Sequence, residues 1–480
     1  MTESKGLIGG QYQPLSQSSI ERIHKASLEI FQEVGFEVHC EEALEVFAQN
    51  GAKVDFDKKL VKLEPQLVEK TLSTAPSQVI LYGREEKHDL TLEDKRVHLG
   101  TGGTAINAID LESGEKRYSN LDDVKQMAKL VDALDNIHFF MLPVFPHELP
   151  QEQIDPNRFY AGLSNTTKHV TGGVWHPDGA RNAIKLASII AGGSEELRKR
   201  PIISMICCVI SPLKLDRHYT ELMMIVAKSG IPVIVPSEAL CGATSPITLA
   251  GDVLQVNVET LAGVIMTQLV NPGTPVLYGT VSSIADPRRM SYTSGAVEMG
   301  LINAAVAQMA QFYSIPFYAT AGMSDSKLPD VQAGYEKATT SLLVALAGAN
   351  YIHDSAGLLE FAMTACYEQF VIDNEINGMV MRALRGVEFN EDTLALDVIK
   401  DVGPTGTFFD QRHTVKHLRT EFFLPKVSDR LPREEWAEKG AKDGREKARE
   451  IAKDILTNHK PVPIPPEIDK QIRETIPGMV

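Results

Sequence analysis

Ala319-Thr320-Ala321-Gly322-Met323-Ser324-Asp325-Ser326-Lys327-Leu328-Pro329-Asp330-Val331-Gln332-Ala333-Gly334-Tyr335-Glu336-Lys337, followed after an apolar helix-like segment by Asn350-Tyr351-Ile352-His353-Asp354, is the stretch on which the fold reading turns. A short apolar run, 315–320, gives way to a loop dense in Gly, Ser and Asp, and Pro329, Asp330 and Gln332 then open a helix. The next apolar run ends on His353-Asp354. Two consecutive strand-to-helix junctions therefore carry polar groups that packing does not require, and in a barrel of such units these junctions face the active site.

Outward from this stretch the same alternation repeats. Short apolar runs at 97–101, 138–145, 168–174, 202–209, 231–235, 275–281, 316–320 and 350–353 are separated by helical segments, one of them announced by the capping sequence Ser119-Asn120-Leu121-Asp122-Asp123. Eight strand–helix units with short connections predict an α/β fold with a parallel sheet, closed as a (β/α)8 TIM-type barrel; an open doubly wound sheet is the alternative. The expected division is an N-terminal α+β extension packed on the barrel (1–96), the barrel itself (97–424) and a C-terminal helical tail (425–480). Within the extension we expect a loose arm over 1–17, an amphipathic helix from the Ser16 cap to Val34, a second helix at 41–50 and strands within 53–63 and 79–82. Together these would form a lid or cap on the main domain. Beyond Gly386 the pattern decays into a glycine-rich loop, Asp401 to Phe409, a charged helix over 432–457 and an extended connector, read as a clasp on a neighbouring subunit or on the barrel's flank.

Composition narrows the function classes. With 480 residues and 43% hydrophobic content a large core is available, while a net charge of −15 argues against nucleic acid and anionic membranes as partners. The polar N-terminus predicts no secretory leader, and no uninterrupted apolar run reaches the roughly 18 residues of a membrane helix. Five cysteines without a CxxC pair fit reduced structural thiols in a cytoplasmic protein.

No sequence motif on its own names a reaction. Glycine clusters such as Gly100-Thr101-Gly102-Gly103-Thr104, Thr171-Gly172-Gly173 and Ala321-Gly322-Met323-Ser324 match neither a P-loop nor GxGxxG. Their repeated placement at strand ends suggests a low, uncharged rim, with Gly102, Gly103, Gly172 and Gly322 facing something bulky. His169 with His176 and His413 with His417 lack a third ligand at a recognisable interval, so no metal is expected. A GxSxG elbow is absent, and Lys327 as a Schiff-base lysine would make the chain an aldolase. Aromatic residues gather near predicted strand ends, among them Phe145, Trp175, Tyr278, Tyr292, Tyr335, Phe361 and Phe408. Converging on one mouth, such rings would cage a methylated ammonium ion, and Arg158, Arg289, His353 or Arg412 could take a carboxylate on the same ligand.

The run from Asp325-Ser326-Lys327 to Gln332-Ala333-Gly334-Tyr335-Glu336-Lys337, the Gly100-Thr101-Gly102-Gly103 loop and Gly403-Pro404-Thr405-Gly406 with Phe408 resemble the trimethylamine methyltransferase family over nearly the whole chain. The resemblance implies a (β/α)8 barrel that moves a methyl group from a methylated amine to the cobalt of a corrinoid (cobalamin) presented by a separate, cognate corrinoid protein. It implies no tightly bound cofactor in the chain itself. Founding members carry pyrrolysine, and by the resemblance Tyr335 stands in its place. The branch lacking pyrrolysine resembles enzymes for betaines, so the expected substrate is a quaternary amine: glycine betaine first, giving dimethylglycine, with proline betaine, carnitine and γ-butyrobetaine as relatives. The expected substrate-binding residues are His353, anchoring the carboxylate, with Phe361, Tyr335 and Arg412; a homo-oligomer is expected too. A non-catalytic betaine sensor on the same barrel is the alternative of another class.

Overall fold

The computed structural model describes residues 6–480. Eight strands fall on the eight expected runs: β1 (Arg96–Thr101), β2 (Phe140–Met141), β3 (Val170–Gly173), β4 (Ile203–Ile206), β5 (Val233–Ser237), β6 (Val276–Thr280), β7 (Phe317–Thr320) and β8 (Tyr351–Ala356). Each is followed by a helix: α1 (Leu121–Asp132), α2 (Gln151–Asn165), α3 (Pro177–Ala191), α4 (Arg217–Ser229), α5 (Leu249–Val270), α6 (Val297–Tyr313), α7 (Val331–Ala347) and α8 (Tyr367–Arg385). The helix starts obey local chemistry. Asn120 and Asp123 form a reciprocal capping box on α1, and the Asp330 side chain accepts from Ala333 N at the head of α7.

The eight strands lie in one parallel sheet in the order β1-β8-β7-β6-β5-β4-β3-β2. Its two ends approach each other. Gly100 bridges Phe139 in parallel, His138 N donates to Leu99 O at 2.7 Å, and Thr101 Oγ1 both donates to Met141 O and accepts from Met141 N at 2.7 Å. Gly100 is required here, because a Cβ at that position would stand 2.3 Å from the Phe139 ring. Covered on both faces, these strands read as continuous apolar runs and not as alternating ones.

Three expectations change. Residues 1–5 lie outside the described residues, but the rest of the expected loose arm is ordered in part, since Leu7–Ile8 pairs antiparallel with Arg96 and Val97 of β1. The β1 edge supplies the partner that the arm's own composition did not reveal. The expected lid or cap is divided between two places: the extension's Phe36–Val38 strand pairs with Lys214–Leu215 in the loop after β4. The extension's hairpin, Gln78–Leu81 with Leu90–Glu93, places Val79, Leu81, Leu90 and Leu92 in one apolar cluster with Phe139, Tyr318 and Tyr351, and so plugs the other end of the sheet's interior. The helix expected over 432–457 is two helices, Arg433–Glu438 and Gly444–Asn458, broken at Gly440, whose φ of +95° no helix accommodates.

One helix exceeds the expected apolar length. α5, with 22 residues, is long and apolar enough to cross a membrane, but 78% of its apolar window is buried inside the protein and it packs as a core helix. Its interior carries Asp252, Asn257 and Glu259, all buried and hydrogen-bonded.

Candidate active site

A cavity of about 630 Å³ opens at the C-terminal ends of the strands, and every strand or its following loop contributes to its wall. Gly103 and Thr104 follow β1, Met141 ends β2, Gly173 to His176 follow β3, Cys208 follows β4, Glu238 follows β5, Tyr292 follows β6, Met323 follows β7, and His353 and Asp354 lie on β8. α2 adds Arg158, and α4 adds His218 and Tyr219.

His353 is held by a column of rings through the sheet's interior. Phe139 stacks on Tyr351 (centroids 3.6 Å apart, 13° between planes), Tyr351 neighbours Tyr318 (5.6 Å, 21°), and Tyr318 stacks on His353 (4.2 Å, 13°). Registry produces this column: Tyr318 pairs with Tyr351 and Thr320 with His353 across β7–β8, and residues 351 and 353 point to the same face by the two-residue period of a strand. Thr320 Oγ1 meets His353 Nε2, while Nδ1 lies 3.0 Å from Asp354 Oδ2 but out of line for a hydrogen bond.

Asp354 is the wall residue with the most unusual setting. It is 4% exposed, adopts φ +62°, and its Oδ1 has no hydrogen-bond partner. Gly102 makes room for it, since a Cβ there would fall 1.4 Å from Oδ1. The Asp354 charge also helps to push the buried Tyr318 hydroxyl well above its ordinary range, after burial itself.

Arg158 is the second. It is 1% exposed in the cavity wall; a terminal nitrogen donates to Thr104 Oγ1 at 2.9 Å and to Leu142 O at 3.2 Å, Nε has no partner, and no carboxylate among the described residues lies within ion-pairing distance. Burial pushes its guanidinium down to about 10, so it remains a cation at neutral pH. Nearby Asp155 instead accepts from Trp175 N at 2.8 Å, and burial holds its carboxyl above the usual range despite Arg158. The wall thus offers one buried cation that no carboxylate pairs directly, Asp155 acting on it only from a distance, with the rings of Trp175, Tyr219, Tyr292 and Tyr318 and two carboxylates, Glu238 and Asp354.

The expected site residues distribute unevenly. His353 and Gly103 line the cavity; Gly102 lies beneath Asp354, Gly172 packs towards Leu142 and Phe159, and Gly322, at φ +80°, sits against Ser341 and Ser355. Phe361 lies one residue short of the wall residue Ala362 and borders a neighbouring cavity with Arg289 and Lys327, whose ammonium sits 4.6 Å from the Phe361 ring. Tyr335 is 58% exposed on α7 and Arg412 is exposed on the short helix Arg412–His417; neither is among the wall residues. In the Ala319–Lys337 stretch the wall residue is Met323. His169, paired with His176 in the sequence reading, is instead buried: Nδ1 bonds Tyr82 O at 3.0 Å, Nε2 bonds Ser204 Oγ at 2.9 Å, and burial pushes it down to about 4. His413 and His417 do gain a third neighbour, Asp392, but Lys416 already holds that carboxylate at 2.6 Å.

An α/β chain of eight strand–helix units with an aromatic-walled cavity carrying a few charged groups at the strand C-termini is built as an enzyme of small molecules. The chain belongs to the trimethylamine methyltransferase (MTTB) family, whose description matches residues 6–477. It is 39% identical over 477 residues to trimethylamine methyltransferase MttB of Desulfitobacterium hafniense (strain DSM 10664 / DCB-2), covering 99% of this chain and 94% of that one. It is 34% identical over 467 residues to glycine betaine methyltransferase of D. hafniense (strain Y51), covering 97% of each. Among solved structures, the monomethylamine methyltransferase MtmB of Methanosarcina barkeri shares the fold at a TM-score of 0.56 and 12% identity, covering 94% of this chain and 89% of that one.

Proposed function

We propose that this chain demethylates a carboxylated quaternary amine, glycine betaine in the first instance, on a closed (β/α)8 barrel, releasing dimethylglycine. The Gly100–Phe139 bridge supports closure of the ring, with 1–96 and 425–480 as its extension and tail and with the cytoplasm as its compartment. Both methylamine and betaine enzymes stand among the relatives, so identity does not choose the substrate. The observation that carries the choice is Arg158: a buried guanidinium in the cavity wall that feels the charge of Asp155 but has no carboxylate within ion-pairing distance leaves room for one that a ligand brings. Trimethylamine brings none; a betaine does. His353 is the poorer anchor, because Asp354 Oδ2 beside its Nδ1 repels a second carboxylate.

A quaternary ammonium leaves as a neutral amine when its carbon–nitrogen bond breaks, so no acid is needed and position matters most. A corrinoid on a separate protein supplies the reduced cobalt nucleophile, and the chain fits that approach where Gly173 keeps the wall low, an added Cβ there meeting nothing within 4 Å. Arg158 would fix the carboxylate, and the aromatic faces would hold the methylated nitrogen by cation–π attraction. Rings suit this better than a tight ion pair, since the ligand's charge vanishes in the transition state and strong ground-state binding of it would slow transfer. Holding the methyl carbon in line contributes on the order of 7–11 kcal/mol. The test mixes the protein anaerobically with glycine betaine and a Co(I) corrinoid. Loss of the reduced-corrinoid absorbance with stoichiometric dimethylglycine is expected, with trimethylamine inert and proline betaine and carnitine run in parallel. Turnover of trimethylamine alone, or of no amine even with a cognate corrinoid protein, would sink the reading.

A further inference from the structure

Asp155 and Arg158 stand one turn apart on α2, the spacing at which a carboxylate and a guanidinium on one helix face normally pair. Both are buried, Asp155 at 2% exposure and Arg158 at 1%, and Coulomb attraction in so dry a place favours closing the pair. They stay apart all the same. Asp155 Oδ1 and Arg158 Nε are each left without a hydrogen-bond partner, a desolvation cost that closing the pair would relieve. Something must hold the carboxylate away.

The holder belongs to the next strand–helix unit. Asp155 Oδ2 accepts from Trp175 N at 2.8 Å, and the backbone of His176, the cap of α3, favours the same carboxylate. The negative charge therefore rests at the head of α3, where the helix dipole stabilises it. Gly179, in the first turn of α3, makes the room: a Cβ there would stand 2.2 Å from Oδ2 and 3.0 Å from Cγ. Its φ is not positive, so the close approach of the carboxylate, and not the backbone conformation, is what asks for glycine. The same hydrogen bond fixes Trp175, whose ring stands in the cavity wall, edge-on to Phe145 at 5.5 Å.

We propose, on the betaine reading of this cavity, that Asp155 is a positioning residue: the head of α3 withholds its carboxylate from Arg158, which keeps the guanidinium free for the carboxylate of a ligand while Trp175 is held ready for the ligand's methylated ammonium. An Asp155–Arg158 ion pair would close the site to carboxylates from within. Where it stands, Asp155 acts on Arg158 only from a distance, so it offsets part of the cost of a buried cation without occupying that cation's hydrogen-bonding positions.

Gly179→Ala tests this from outside the cavity wall, and alanine is the better helix former. The added methyl should evict Oδ2 from the head of α3 and turn it to Arg158. Titration calorimetry should then show glycine betaine bound about tenfold more weakly or worse, and tetramethylammonium, which has no carboxylate, within about twofold of wild type. Asp155→Asn in the Gly179→Ala background should restore most of the lost affinity, because a neutral amide does not pair with the guanidinium as a carboxylate does; a merely structural role predicts no such rescue. Equal loss of both ligands, loss of neither, or no recovery in the double variant would overturn the proposal. Should Gly179→Ala not fold, Asp155→Asn alone decides: its amide oxygen still serves Trp175 N and the competing charge is gone, so glycine betaine should bind more tightly, and weaker binding would overturn it. Crystal structures of ligand-free wild type and Gly179→Ala separate this from the substrate reading. Asp155 should stay on Trp175 N in the first and come within about 4 Å of the guanidinium in the second. If the wild type binds glycine betaine no better than tetramethylammonium, the betaine reading falls and these two structures decide the role of Asp155, an unmoved carboxylate in the variant counting against it.

Discussion

Replacing Arg158 by glutamine keeps a hydrogen-bonding side chain but removes the buried cation of the cavity wall. Glycine betaine should then bind about 10- to 100-fold more weakly, the order of 1.5–3 kcal/mol for a charge-assisted contact. Tetramethylammonium, which has no carboxylate, should bind as before, and titration calorimetry with both ligands checks the contrast. A second residue reports through pH. His169, at about 4 in the fold and near 6.5 when free, is held neutral between Tyr82 O and Ser204 Oγ. Its contribution is complete above 6.5 and is lost as pH falls towards 4, on the order of 3 kcal/mol in all. Asp252, raised to about 6 by burial, works in the opposite direction, because the folded state keeps its proton longer and stability from this group falls as pH rises from 3.8 to 6. Urea unfolding of His169→Gln against wild type at pH 7 and pH 5 isolates the histidine; the acid-side loss should shrink in the variant. At this scale the sequence was only partly legible. His353 and Arg158 stood out by type and position, but Cys208 and Glu238 sit two and one residues past β4 and β5, Asp354 lies on β8 and Tyr219 on α4, and no interval in the chain links them. Glu238 and Asp354 share one signal, a place just beyond an apolar run, which Tyr219 on its helix lacks. A shift of one residue, as between Phe361 and Ala362, is enough to move a side chain into another cavity.

Strands and helices were far more legible, for a physical reason. A parallel strand covered on both faces needs an unbroken apolar run, so β1 to β8 could be placed within a few residues, and caps such as Asn120 and Asp330 fixed the heads of α1 and α7. The pair that locks α7 to α8 was not legible, since Lys337 and Asp373 lie 36 positions apart. Both are 0% exposed; Lys337 Nζ reaches Asp373 Oδ2 at 3.0 Å and Gly322 O at 2.5 Å, while Asp373 accepts from Gly357 N at 2.8 Å. One ion pair thereby holds the loops after β7 and within the turn following β8. Lys337→Met should cost about 3–5 kcal/mol by leaving the Asp373 carboxylate alone in the core, and adding Asp373→Leu should restore much of it. Chemical denaturation of the single and double variants reads this directly.

For the whole molecule the decisive contact is the seam between β1 and β2, where ladder pairing thins to isolated bridges, Gly100–Phe139 and Ala105–Val144, and the Thr101 hydroxyl supplies both hydrogen bonds to Met141. Thr101→Val should destabilise by about 1–3 kcal/mol and speed amide exchange at Met141 more than at Val235 on the far side of the sheet, with exchange mass spectrometry as the readout. The other flank of β1 has a consequence in time. β1 pairs with β8 through Tyr351↔His98, residues separated by about 250 positions of chain. At a synthesis rate of roughly 5–20 residues per second, β1 leaves the ribosome some 12–50 s before its neighbour exists. During that interval the β8 flank stands open, while the opposite flank can be held by Leu7–Ile8, an antiparallel segment made about 90 residues earlier, which the finished protein retains there. The short N-terminal strand thus leaves the nascent β1 with one open edge where it would otherwise have two, and without it the newborn chain would offer both flanks to any other strand within reach.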